Sequence, residues 1–543
     1  MFVSHQWAGT DHPDPTFEQF QVLQDSLKNV LCNGKSVNAN VSMELYTGQS
    51  AISAAEFHSR PLFIWYDYFC CPQNQVHMDK RQSAINSIPA YIQQCRFFVI
   101  LCPNMRHSQN EVLLNKRTWR ERGWCRLERL CRELSENELK HPTMEVFSAT
   151  HQAVSATMQL LNSSVGEGKF SKAGDLDKLG PVLSQLVERR LRLHLESNEF
   201  HEYRLLLNLG SVLFRKMPSP QRYVYIPGFQ SELRFDHPDY VLGNFLYQNG
   251  FQNIHQRLNG WTPICFAALY GDTKLLQTLL DANADVNDCI TKTCPRFGFG
   301  KDMNVLALTA YVRHNDALKF LISAGANIHA VDEYVARPIH WCSVGGNPEG
   351  VEILLAAGST KTDPNILGYS PFVLACSAGE IECMKVLMPD ASMTELNEGL
   401  HAAILQSGGS AEVVSELIKA HADVNHQLIT SPLTVFGALL TGLGLRHRWK
   451  ESTLSTYAYH HYQATPLMCS VLTGAYEVTA LLLAAGARTD LWNYRQKTAL
   501  DIAYEVSAPD FVISALKGES DCGERLLKDY ITIARSNIWS ESL

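Results

Sequence analysis

Short apolar runs alternate with amphipathic segments along the first 150 residues. The runs MFVSHQW (1–7), PLFIWYDYFC (61–70) and RFFVILCP (96–103) read as buried strands, since each is strand-length and rich in aromatic or β-branched residues. Between them, TFEQFQVLQDSLKNVL (16–31) and RQSAINSIPAYIQQC (81–95) place apolar residues at helical spacing, and RGWCRLERLCREL (122–134) opens a further helix. Strands alternating with helices predict a small α/β domain over 1–150, with a parallel sheet covered on both faces. Ligands of such sheets sit at the carboxyl ends of the strands, where SHQWAGTDHPDP, DYFCCPQ and CPNM fall.

The pattern changes twice further along. Residues 151–255 form a helical connector: 176–195 and 201–217 are amphipathic, 218–229 is a Pro-containing extended stretch, and 238–254 is predicted to cap a solenoid. From 256 to 518 the chain repeats itself. The hexapeptides TPICFA, RPIHWC, SPFVLA, TPLMCS and TALDIA recur, and 33 residues separate Pro338 from Pro371, Thr465 from Thr498, and Gly325 from Gly358. That period is the ankyrin repeat's, and about six or seven units fit, forming an all-α solenoid. Two stretches break the register, 289–303 and 433–463, and insertions of this kind normally map to loops. Concave-face and loop residues such as Tyr270, His314 and Trp341 are expected to contact a protein partner. Residues 519–543 form a C-terminal tail.

Composition narrows the classes. With 45% apolar residues, 19% charged residues and a net charge of −8, the chain lacks the basic excess of a nucleic-acid binder. Fifteen cysteines, an odd number without regular spacing, argue against a secreted disulfide framework and for a reduced, cytoplasmic protein. The longest uncharged apolar stretch, 432–445, is too short to span a bilayer, so no membrane partner is expected.

Three motifs in order carry a resemblance. FVSHQW before a helix, FFVILCPN before a polar loop, and GWCRLERL opening the next helix resemble the Toll/interleukin-1 receptor (TIR) domain, whose Trp-Cys-x-x-Glu spacing is met by Trp124, Cys125 and Glu128. IWYDYFCCPQ is similar to the Trp-x-Asp-x-x-Cys-x-x-Gln of fungal heterokaryon-incompatibility (HET) domains, matched by Trp65, Asp67, Cys70 and Gln73. The whole arrangement resembles ankyrin-repeat proteins of protists, dinoflagellates among them, that carry this N-terminal module. Residues 32–70 are longer and differently patterned than the corresponding TIR segment, so its loop residues do not transfer. The resemblance implies either NAD cleavage or signalling through self-association. No bound cofactor is implied; NAD would be a substrate.

Under that implication Glu128 is the catalytic carboxylate, orienting the ribose and stabilising an oxocarbenium-like centre. Ser4, His5 and Trp124 would contact NAD. The residues themselves leave alternatives open. Leu127, Leu130, Cys131 and Leu134 make an apolar stripe with Glu128 at its edge. There it is either partly desolvated in a cleft or paired with Arg129 or Arg132. Ser4 and His5 equally read as a strand-end cap and a partly buried histidine, and Asp67 as an acceptor for loop amides. Cys70, Cys71 and His77 lack a fourth ligand, and Cys289 and Cys294 read as free thiols, so no metal site is expected. NKRTWRER (115–122) reads as a solvated loop at the cleft entrance, and GEGKF (166–170) fits neither phosphate-loop fingerprint.

Overall fold

The computed structural model describes residues 1–48, 51–73, 78–110, 112–135, 141–155, 161–172, 174–217, 226–405 and 410–519. His77, residues 218–225 and the tail beyond Glu519 lie outside these. Two compact units interleave along the chain. One comprises Met1–Arg120, Asn137–Ala156 and Leu367–Leu543; the other comprises Glu121–Glu136 and Thr157–Ile366.

The first unit holds a five-stranded sheet built from β1 (Phe2–His5), β2 (Trp65–Tyr66), β3 (Phe98–Leu101), β4 (Thr143–Val146) and β5 (Gln152–Ser155), in the order β2-β1-β3-β4-β5. Neighbours among the first four run parallel, as the alternation predicts. The fifth corrects the expectation of a wholly parallel sheet. β5 pairs antiparallel with β4 because only the short turn 147–151 joins them, and a parallel return needs a longer crossover. The expected strand over 61–70 shrinks to two residues, since Asp67–Cys70 turns helical. Phe2 lies between the Trp65 and Phe98 rings, at centroid distances of 4.3 and 5.6 Å. The core of the sheet gathers Val3, Leu23, Val30, Val99, Leu101 and Met144.

The same unit contains four helix pairs from the repeating region, beginning at Pro371, Met393, Pro466 and Ala499. Sequence chemistry sets their starts. Ser370, Thr465 and Thr498 cap with side-chain oxygens that accept from the third helical N–H, and Pro occupies N1 after Ser370 and Thr465. The stretch 433–463 is not the loop that the repeat pattern suggests. It folds as two packed helices, Val435–Arg446 and Thr453–His460, approaching so closely that a Cβ on Gly444 would stand 2.9 Å from the Ala458 carbonyl oxygen.

In the second unit the repeating region supplies Pro263–Tyr270 with Thr273–Asp281, Val305–Tyr311 with Asn315–Ser323, and Pro338–Val344 with Pro348–Ala356. Asn347 ties two pairs together: its Oδ1 caps the helix at Gly350, and its Nδ2 donates to the Ala310 carbonyl (3.0 Å) and to Asn315 Oδ1 (2.8 Å). Ahead of the first pair, Phe200–Asn208 packs on Pro263–Tyr270 and Pro238–Asn249 packs on Thr273–Asp281. The connector thus presents its own helix pair to the first repeat. The lengthened junction 289–303 is also more than a loop, because Ile290, Phe299 and Met303 are fully buried and Phe299 meets Trp261 edge-on at 5.4 Å.

The helix Gly123–Glu133 begins in this unit at a tight crossing with GEGKF. A Cβ on Gly123 would fall 2.0 Å from the Phe170 ring, and one on Gly168 would fall 2.4 Å from the Gly123 Cα. Gly123→Ala is therefore expected to lower unfolding free energy by about 1–3 kcal/mol through overpacking. Gly442→Ala, within a helix and facing open space, should raise it by about 0.5–1 kcal/mol. Chemical denaturation of both variants checks the contrast, and equal midpoints would refute the crossing.

Candidate functional site

The predicted site residues divide between the two units: Ser4 and His5 belong to the first, Trp124 and Glu128 to the second.

At the carboxyl end of β1, the parallel register opposite β2 (Phe2 to Trp65, Val3 to Tyr66) brings His5 beside Asp67 although 62 residues separate them. His5 Nε2 lies 2.7 Å from Asp67 Oδ1, and the Trp7 indole donates to Oδ2 at 3.2 Å. The Tyr66 ring stacks on the imidazole at 4.1 Å, with its hydroxyl 3.3 Å from His5 Nδ1. Asp67 also accepts from the Tyr68 amide, so it holds its own turn as well as the histidine. Burial raises the Asp67 pKa, but the His5 charge and these hydrogen bonds outweigh it and hold the carboxyl below 3.8. Burial, with Asp67 and Asp14 nearby, pushes the Tyr66 phenol far above its ordinary value. The cluster can orient a polar group through a partly exposed carboxylate. Ser4 is fully buried, and its hydroxyl accepts from the Trp119 indole at 3.0 Å. That contact corrects the solvated-loop reading of 115–122: Lys116–Glu121 is a helix with Trp119 in the core.

Glu128 sits on a helix buried around most of its circumference. It is 9% exposed, and Arg129, Arg132 and Glu133 on the same helix are buried more deeply. Arg129 Nε lies 3.4 Å from Glu133 Oε1, the Arg126 and Arg129 guanidiniums donate to the carbonyls of Ser164 and Ser163, and Arg296 donates to the Glu133 carbonyl. Burial first, and then the Glu128 charge, push the Cys131 thiol well above its usual value. Trp124 is committed too, its indole donating to Asp175 Oδ2 at 3.0 Å. Among the other expected contact residues, Trp341 is buried with its indole on Asp332, and His314 is held by the Leu269 carbonyl and Ser211, so neither offers a free binding surface.

Sequence reasoning missed a polar contact inside the first unit. Asn115 donates to Glu477 Oε1 at 3.5 Å, and Arg117 pairs with Glu412 at 2.6 Å, joining the segment before Trp119 to the second helices of two repeats. Burial pushes Glu477 up to about 7, Arg117 opposing and Glu412 adding to the shift. No spacing signal marks this contact, since the partners are hundreds of residues apart.

The two shifted carboxylates titrate with opposite sign. Asp67 is depressed, so its contribution is present above pH 3.8 and is lost as pH falls through its lower folded value. Glu477 is raised, so its contribution is complete below 4.5 and disappears as pH rises through about 7. Stability measured against pH should therefore lose its acid-limb slope in part in Asp67→Asn, and its decline between pH 5 and 7 in Glu477→Gln. Variant curves parallel to the parent's would refute both assignments.

Comparison with known proteins bears on the helix pairs. The ankyrin-repeat family models match residues 259–291 as a single repeat and 339–427 as three copies. Among curated proteins, "Putative palmitoyltransferase ZDHHC13" of Danio rerio is 24% identical over 212 residues, which is 37% of this chain and 33% of that protein. "Tyrosine-protein kinase Shark" of Drosophila melanogaster is 28% identical over 185 residues, 33% of this chain and 18% of that protein. The chain thus spans a third or less of the curated relatives it matches. The human ASB11 ankyrin repeat domain, a solved structure, aligns at 22% identity and a TM-score of 0.34, covering 49% of this chain and all of that one. The family matches and the helix pairs agree: this chain carries ankyrin repeats.

Proposed function

We propose that this protein is a cytoplasmic adaptor: its ankyrin repeats bind a protein partner, and its α/β module over 1–150 carries the signal onward by associating with further copies. The observation that carries the reading lies in the second unit, where Val331, Tyr334 and Val335 stand exposed on the loop between Asn315–Ser323 and Pro338–Val344, while Pro338–Val344 itself is buried along most of its length. Apolar side chains at loop tips of a rigid repeat scaffold are suited to a protein surface. For the module, Phe63 and Phe69 are the most exposed of its large apolar side chains and are the groups proposed to carry self-association. The free cysteines among the described residues suit a reducing compartment.

Affinity capture with the full chain should recover a partner that Tyr334→Ala with Val335→Asp releases. Light scattering should show a concentration-dependent larger species that Phe63→Ser with Phe69→Ser abolishes. Equal recovery, or an unchanged mass, would sink the respective half of the reading.

A second reading takes up the TIR resemblance, in which Glu128 cleaves NAD with Ser4, His5 and Trp124 contacting the substrate. The His5–Asp67 cluster at a strand's carboxyl end favours it, because ligands of such sheets sit there. Against it weigh the low exposure of Glu128 and the existing partners of Ser4 and Trp124. Incubating the full chain with NAD separates the readings: the adaptor releases no nicotinamide, whereas catalysis by Glu128 requires release that Glu128→Gln abolishes.

A further inference from the structure

The helical insertion in the first unit has one face that stands open among the described residues of that unit. Residues 424–445 contain no Asp, Glu, Lys or Arg. The inner side of Val435–Arg446, at Leu440 and Gly444, is buried, and Gly444 closes on Thr453–His460 at the Ala458 carbonyl. That second helix is in turn anchored to the sheet module, the Leu454 amide donating to Glu44 Oε1 at 3.2 Å. The outer side is apolar and open: Leu433 is 95% exposed and Ile429 70%, with Val435, Leu439 and Leu445 continuing along the helix. At the carboxyl end of the helix the chemistry reverses. RHRWK (446–450) places Arg446, Arg448 and Lys450 around Trp449, itself 82% exposed. Among the described residues Arg448 and Lys450 form no salt bridge.

We infer that this insertion is a membrane-surface element, seating its apolar outer face in an anionic lipid bilayer with Trp449 at the headgroup level and Arg448 and Lys450 on lipid phosphates or carboxylates. The division of chemistry along the patch selects this occupant. A bilayer surface is layered, apolar below and anionic above, with tryptophan favoured at the boundary. The patch has the same layering, an uncharged apolar helix succeeded by cations that flank an indole. Protein interfaces instead surround an apolar centre with a polar rim. No described helix is long and apolar enough to cross a membrane. The expectation of no membrane partner rests on that length criterion, which bounds spanning and not lying at the surface. Because the chain as a whole carries −8, general electrostatics oppose anionic vesicles, and attraction has to come from this local patch.

The test is co-sedimentation of the full chain with phosphatidylcholine vesicles, with and without phosphatidylserine. The parent should partition onto the phosphatidylserine vesicles and be released by salt. Leu433→Asp with Leu439→Asp, and separately Arg448→Glu with Lys450→Glu, should weaken partitioning by about tenfold or more, given the cost of losing buried apolar area or surface cations. All four side chains are exposed, and circular dichroism melts confirm that the variants keep the fold. Three results would overturn the proposal: no partitioning above the phosphatidylcholine level; partitioning that both variants retain; or a dimer in light scattering that the apolar variant dissociates while vesicle binding is absent, which would assign the face to a second copy.

Discussion

A short helix that is apolar on every side cannot exist alone in water, and several repeat pairs of this chain open with such a helix. Pro263 to Leu269 are all buried, as are Val305 to Tyr311 and Pro466 to Leu472. None of these segments has a polar face to present, so each must be covered by its own partner helix and by the neighbouring pairs. The constraint explains features that would otherwise look unrelated. The connector offers Phe200–Asn208 and Pro238–Asn249 to the first pair because an uncovered first helix would expose its full apolar circumference. Asn347 bonds backward to the Ala310 carbonyl because a helix end buried between pairs leaves a carbonyl that water cannot reach.

The same need for cover explains how the first unit combines an α/β sheet with repeat helices. Sheet-module residues meet the repeats and their insertion through polar groups at the edge of the contact: Glu44 on the Leu454 amide of the insertion, Asn115 on Glu477, Arg117 on Glu412, and His151 against Tyr476. The Arg117–Glu412 pair is exposed and contributes little by itself. Glu477 and His151 are different, since burial shifts both toward their neutral forms, the histidine to about 4. Neutralising a group costs less than burying its charge, and so these two groups can sit in a partly buried contact without a network of buried ion pairs.

What is legible in the sequence depends on the range of the interactions involved. The helix pairs are readable because capping threonines, N1 prolines and apolar registers act within a few residues, and the 33-residue period repeats them. β1 and β3 are readable as apolar runs, but β5 is not, because a hairpin edge strand of mixed composition carries no such run. The insertion reads as a loop because it breaks the 33-residue register, and only packing of Gly444 against Ala458 shows why glycine is needed there. At the candidate site His5 and Asp67 are each visible, yet their pairing depends on the β1–β2 register and is not. The helical pattern puts Glu128 at the border of an apolar stripe. The helix instead buries charged residues on several sides, because Ser163, Ser164 and Arg296 from distant segments supply partners that no helical wheel contains.

A chain can depart from simple patterning in two ways, and this one does both. Charges drawn into the interior of the second unit are accompanied by carbonyls and counter-charges placed to receive them, so the departure is resolved within the fold. Apolar groups turned outward on the Val435–Arg446 helix have no such resolution among the described residues of their unit. Single exposed apolar side chains are ordinary and need no explanation. A run of them on one helix, backed by a packed partner helix and bordered by cations on one end only, is a different object. Its inner face is fixed by the same covering rule that orders the repeats, so its outer face cannot rotate inward to hide.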